Sequence, residues 1–343
     1  MTMYYAVGYR RRRGDMVLDV WYPVMATDPD QLDALGQWVP NQDGTHALSE
    51  DQYRACRDSV FPTLPLTLPS DPMAYSVMDP VLTVLRQVDD PIDSTESAYF
   101  RLQLLSQRLV RPHGQNLTGL FEHLPNMCWT NMGPVLPEDM PIIQGQNWHV
   151  SITHVDKFPY MVQYHVPAGV RIADASRVRL GAYLSEGTTV MPAGFVNFNA
   201  GTLGSAMIEG RISAGVVVGD RSDAGGGASI MGTLSGGNNH VISIGEQCLL
   251  GANAGTGISL GDGCTVAAGV YVYAGKKVRL LDANNQPVDM DGNPVSEGHN
   301  VVKAMALSGQ SYRLYLEDSQ TGALICKPNT TVIQLNDALH VNE

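Results

Sequence analysis

The chain has 343 residues, 44% of them hydrophobic and only 16% charged, with a formal net charge of −12. That length holds two or three domains, and the acidic balance argues against a broad nucleic-acid or anionic-membrane surface. No apolar run reaches the ~18 residues of a membrane span. No secretory apolar region follows Arg10, Arg11, Arg12 and Arg13, and the five cysteines form no CxxC pair, so reduced thiols in a cytoplasmic protein are expected.

Residues 1–165 read as a mixed α/β domain. Alternation predicts a strand at 16–22, and short helices are expected at 49–60 and 79–87. Ala98, Leu102, Leu105 and Leu109 form a helical stripe behind Ser94 or Thr95 as cap, with Pro112 as the stop. Residues 61–65 read as a proline-rich loop, and the run of four arginines as a solvated turn rather than an anion site.

More than half of the 35 glycines fall between Gly169 and Gly275. In the same stretch a small or aliphatic residue returns every six positions: Ile172, Val178, Leu184, Val190, Val196, Thr202, Ile208. The register then shifts to Ile212, Val218, Ala224, Ile230. After a Gly-rich excursion at 235–239 it continues with Ile242, Cys248, Ala254, Leu260, Val266, Val272, Val278. A helix repeats at 3.6 and a strand at 2, so six fits neither. It fits a hexapeptide-repeat solenoid, a parallel β-helix of about six triangular coils over residues 166–280. Hexapeptide coils usually wind left-handed, against the general crossover rule.

Residues 281–343 read as a β-rich tail. Turns are expected at 282–285 and 291–294, a hairpin pairs 312–316 with 323–327, and a short helix is expected near 333–339. The acidic residues at 289–291 read as a turn, because the later ligands of a calcium loop are missing.

A solenoid has little chemistry of its own, so its few charged residues matter most. Glu209 and Arg211 stand where the two registers fail to match, between two stretches without charge. They read either as a reactive carboxylate with a nearby cation or as an ion pair bridging coils. The glycines at 225–227 and 232 offer backbone N–H groups to an oxyanion, or are corners needing positive φ. A zinc site is not expected, because His240 is the only histidine between Gly169 and Gly275.

The segments GVRIADASRVRLGA (169–182), GFVNFNAG (194–201), EGRISAGVVVGD (209–220), GGGASIMGTLSGG (225–237), VISIGEQCLLGANAG (241–255) and AGVYVYAGK (268–276) resemble the tetrahydrodipicolinate N-succinyltransferases, in their longer actinobacterial and pseudomonad form. Residues 302–304 and 335–340 are similar as well, whereas the first 90 residues match poorly. The resemblance implies a cytoplasmic homotrimer of left-handed β-helices with active sites between subunits. It implies transfer of succinyl from succinyl-CoA to the amino group of 2-amino-6-oxopimelate, in lysine and diaminopimelate biosynthesis. By the same resemblance, Glu209 is the catalytic glutamate, as base or as acyl-anhydride nucleophile, and Gly232 supplies the oxyanion N–H. Arg211, Gly226, Ser229, Ala252, Ala267, Ala268, Gly275 and Lys303 line the acyl-CoA groove.

Two departures stand out. Ser176 and Ala193 replace a pair of carboxylates that hold a metal in some relatives, so no metal is expected. Leu316, Glu317 and Asp318 replace a basic pair near the CoA phosphates. These changes leave an acetyl-CoA-dependent copy, acylating a similar amino diacid in tabtoxin-type synthesis, as the alternative.

Overall fold

A computed structural model describes residues 2–33, 42–232 and 241–330. It divides into two compact units, Met1–Val166 and Pro167–Glu343. The helix expected near 333–339 and the excursion at 235–239 lie outside the described residues.

In the first unit, strands β1 (Tyr4–Arg13), β2 (Met16–Trp21), β3 (Gly44–Ala47) and β4 (Val77–Leu85) form an antiparallel sheet in the order β2-β1-β4-β3. Helix α1 (Pro29–Asp33) is short. Helix α2 (Glu50–Ser59) starts from a capping box in which Ser49 and Gln52 satisfy each other's backbone N–H. Tyr5, Val7, Tyr9, Tyr53, Cys56, Phe61, Leu82 and Val84 pack into one core. Helix α3 (Thr95–Ser106) is capped by Ser94 and buries nine consecutive residues from Ala98 to Ser106. Its Gln103 side chain accepts from Tyr22 N–H and donates to Val20 C=O, so the helix docks on the edge of β2 by hydrogen bonds as well as packing. Leu109 falls beyond its end.

Two expectations fail here. Residues 77–85 are a central strand, not a helix. Pro80 to Leu85 is buried on both faces, and such a strand shows a continuous apolar run with no alternation. The four arginines are the end of β1 rather than a solvated turn. Arg10 pairs with Asp79 and Glu96, Arg11 with the fully buried Asp19, Arg12 with Asp79, and Arg13 with Asp139.

The coil of the second unit is built from strands of two or three residues stacked parallel in three faces. The first face carries Ile172, Val190, Ile208, Ala224, Leu250 and Val266 as successive inward residues. The second carries Val196, Ile212, Ile230, Thr256 and Val272. The third carries Leu184, Thr202, Val218 and Ile244, with Leu260 bridged to Ile244. All but the partly exposed Ile172 are buried, and the threonines hydrogen-bond inside: Thr188 and Thr202 share a 2.6 Å bond, and Thr256 donates to Ile258 C=O.

The single register expected from Ile212 to Val278 is corrected. Ile244, Leu250 and Thr256 occupy the ladder, not Ile242, Cys248 and Ala254. The latter three are also buried, two residues before each ladder position. From Ile230 to Ile244 the chain runs two residues past a multiple of six, so the period slides from one buried position to the other. The four-residue step from Thr256 to Leu260 then brings it back.

The hairpin Arg313–Glu317 with Leu324–Pro328 closes the end of the first face, Tyr315 pairing parallel with Val266. The turn at 289–293 is closed on itself: Asp289 accepts from the N–H groups of Asp291 and Asn293 and from the Asn293 amide, which holds its carboxyl below the usual range. All five cysteines are free and buried. No described helix is long and apolar enough to cross a membrane.

Candidate functional site: one corner and one face of the coil

The corner between the first and second faces is abnormally tight at Glu209. Only four positions separate Ile208 on one face from Ile212 on the next. The N–H groups of Glu209 and Gly210 both donate to Ala224 C=O, at 2.8 and 2.9 Å, and Arg211 N–H donates to Ala228 C=O at 2.7 Å. Three bonds to the next coil therefore fix the backbone that carries the carboxylate. Glu209 itself is half-buried, and its carboxylate lies against the next corner: a Cβ on Gly226 would come within 3.3 Å of its Cδ and Oε2.

The same corner repeats coil by coil. Gly226 C=O accepts from Asn253 N–H, and Ala252 C=O accepts from Gly269 N–H. Gly227 and Gly269 both hold positive φ there, and so does Asn253, whose side-chain oxygen occupies the space a Gly227 Cβ would need. Glu209, Gly226, Ala252 and Ala268 are thus stacked, with Ala267 beside the last. At roughly 4.8 Å per coil the track is about 14 Å long. Ala252 and Ala268 are exposed and carry nothing larger than a methyl, so a slender chain can lie against the backbone.

Beside this corner lies the second face. Its outward residues, in coil order, are Phe195, Arg211, Ser229, Gly255 and Tyr271. Arg211 reaches along the face, not back to the corner: its Nη2 donates to Ser229 Oγ at 2.5 Å. Among the described residues no ion pair joins Arg211 to Glu209, so the reading of a simple bridging pair is not what forms. The carboxylate and the cation are held apart on adjoining surfaces.

Gly232 sits elsewhere. It follows Ser229–Ile230 at the far corner of the second face, where a Cβ would lie 2.9 Å from Ser213 Cβ and 3.0 Å from Ala214 C=O. One strand and its flanking residues separate it from Gly226, roughly six residues of extended chain. A single chain therefore does not bring Glu209 and Gly232 to one point. Gly275 and Lys303 form a third group, at the end of the coil. Lys303 pairs directly across from Lys277, Ala304 N–H donates to Lys276 C=O, and Gly275 stands in open space. Reading residue types alone misses Tyr271 and Gly255. Their signal is a glycine at an outward ladder position sixteen residues before an aromatic one.

Among the described residues no cluster of histidine, cysteine and carboxylate side chains has the makings of a metal site.

The chain resembles known proteins over its whole length. Residues 241–274 match a family model described as the hexapeptide repeat of succinyl-transferase. A 2,3,4,5-tetrahydropyridine-2,6-dicarboxylate N-succinyltransferase of Pseudomonas paraeruginosa is 55% identical over 77% of this chain and 74% of that one. The enzyme of that name from Vibrio cholerae is 45% identical over 99% of both chains. A solved structure from Campylobacter jejuni, provisionally assigned as a 2,3,4,5-tetrahydropyridine-2-carboxylate N-succinyltransferase, superposes with a TM-score of 0.78. It is 31% identical and covers 96% of this chain and 93% of its own.

Proposed function

The chain belongs to the tetrahydropyridine-dicarboxylate N-succinyltransferases, an acyltransferase family, and from that premise we propose that it moves succinyl from succinyl-CoA to the amino group of 2-amino-6-oxopimelate in lysine and diaminopimelate biosynthesis. The observation that carries this reading is the stacked corner. A half-buried carboxylate, with no ion-pair partner among the described residues, stands at one end of a track of glycine and alanine against which a slender pantetheine arm can lie. We read the enzyme as a cytoplasmic homotrimer of left-handed coils.

The acceptor amine arrives as an ammonium and must lose a proton before it attacks the thioester. Glu209, fixed by its three-bond corner and not neutralised by Arg211, takes that proton as general base. Attack turns the thioester carbonyl into an oxyanion, which Gly232 N–H stabilises. Because Gly232 lies on another corner of its own chain, the donor to the oxyanion comes from a neighbouring subunit. Collapse of the tetrahedral adduct breaks the C–S bond, the sulfur takes up the second proton shed by the nitrogen, and CoA leaves as the thiol along the track past Gly226, Ala252, Ala267 and Ala268. Arg211 and Ser229 flank the donor on the second face, and Gly275 and Lys303 meet its far end. The acetyl-CoA alternative gains no support from the Pseudomonas and Vibrio relatives, which are succinyltransferases.

The test is thiol release with 2-aminopimelate as acceptor and succinyl-CoA or acetyl-CoA as donor, for the wild type and Glu209→Gln. The expected result is turnover with succinyl-CoA that falls by about a thousandfold in the variant. Preference for acetyl-CoA, or a variant as fast as wild type, overturns the reading.

A further inference from the structure

Gly255 lies inside a two-residue strand with no positive φ, so the backbone does not ask for glycine there. The reason is the neighbour one coil on. Tyr271 is the ladder partner of Gly255, and the Cδ2, Cε2 and Cζ edge of its ring fills the gap where a side chain would be. A Cβ on Gly255 would stand 2.5 Å from Cδ2 and Cζ of that ring. So placed, the ring spans a whole coil, and Tyr271 Oη donates to Ser229 Oγ at 3.3 Å. Ser229 Oγ is also the acceptor for Arg211 Nη2. Four outward positions on consecutive coils thus form one relay: Gly255 seats Tyr271, Tyr271 orients Ser229, and Ser229 holds Arg211.

We propose that Tyr271, seated on Gly255, is a positioning residue for the acyl donor, holding Arg211 through Ser229 in the orientation that binds the donor. The proposal rests on the reading of the second face as the flank of the donor groove. A serine hydroxyl turns freely and takes two donors on its two lone pairs. With the tyrosine proton on one lone pair and a guanidinium N–H on the other, its rotor is set. An arginine on an exposed face otherwise samples many rotamers, and ordering it on binding weakens affinity. The relay orders it beforehand, and leaves its remaining N–H groups available to the donor. Because Tyr271 acts on the ligand only through Ser229 and Arg211, its removal is expected to change donor affinity and not the chemical step.

The experiment compares Tyr271→Phe, Gly255→Ala, Ser229→Ala and the Tyr271→Phe/Ser229→Ala pair. It measures KM for each substrate, kcat, melting temperature, and CoA affinity by calorimetry. Tyr271→Phe keeps the ring and loses only the proton donor. It is expected to raise the succinyl-CoA KM and the CoA Kd about threefold to tenfold, the worth of one hydrogen bond. The acceptor KM and kcat should stay within about twofold. Gly255→Ala should do the same by pushing the ring off its seat, and the double variant should be no worse than Ser229→Ala alone. An unchanged donor KM in Tyr271→Phe, additive effects in the pair, or a uniform loss in all parameters together with a lower melting temperature would overturn the proposal. If Gly255→Ala does not fold, Tyr271→Phe and the pair decide. A wild type that binds no CoA refutes the donor-groove reading itself. Intact CoA binding in every variant refutes only the relay.

Discussion

The two units use charge in opposite ways. In residues 4–166 the arginines of β1 are tied to named carboxylates, and Asp19 sits fully buried between Arg11 and the Tyr164 hydroxyl. In the coil, position in the repeat decides what a side chain does. Inward places take aliphatics and satisfied threonines, outward ladder places take polar residues such as Arg211 and Asp223, and Glu209 stands where the repeat breaks. A charge in the first unit is structural because its partner is built in. The charge at Glu209 is available for chemistry because the fold supplies it with a rigid backbone and, among the described residues, no counter-ion.

The largest expected effect tests the first half of that contrast. Asp19→Ala leaves Arg11 without its partner in a buried setting, and should cost about 3–5 kcal/mol in denaturant unfolding of the first unit. Glu209→Ala, which strands no buried cation, should leave the melting temperature within a few degrees of wild type. Equal losses in both would erase the distinction.

The coil is legible in the sequence because its signal is redundant. Glycine density, the spacing of six and the break at Glu209 all point to one architecture. The features that differ from the sequence pattern do so for definable reasons. The period slides at Ile242 because two neighbouring positions per coil face inward, and both tolerate small apolar residues. Residues 79–87 resemble a helix in sequence because a central strand loses its alternation. The partners of Arg10 to Arg13 are not legible, since they depend on how β1 pairs with β2 across an irregularity at Arg11 and with β4. The relay through Gly255 and Tyr271 is hidden for a similar reason: its members become neighbours only when coils stack.

A smaller effect sharpens the contrast on the coil side. Ala252 is exposed, so Ala252→Leu should fold normally, yet a branched side chain standing in the track should raise the succinyl-CoA KM by about tenfold or more with little change for the amine. Steady-state kinetics with each substrate varied in turn will show the split. An equal rise in both would mean that the track does not carry the donor.

The smallest effect belongs to the first unit. His165 is held below the usual histidine range, first by burial and then by the charge of Arg108. Its folded form is therefore the neutral one. The stability it contributes is complete above the unfolded pKa of about 6.5 and is lost as pH falls through the folded value. Urea midpoints measured from pH 7.5 to 5 should decline, and His165→Gln should flatten part of that decline. A slope identical in the two proteins would contradict the assignment.

The most direct test of the central claim uses the two corners that one chain keeps apart. Glu209→Gln and Gly232→Pro should each be inactive, with the size of each assembly checked by gel filtration because a Cβ at Gly232 crowds Ser213 and Ala214. Co-expressed in equal amounts, they should recover about a quarter of wild-type thiol release, because a quarter of the subunit boundaries then join an intact Glu209 to an intact Gly232. Mixed assemblies no more active than either parent would contradict a site made from the Glu209 corner of one copy and the Gly232 corner of the next.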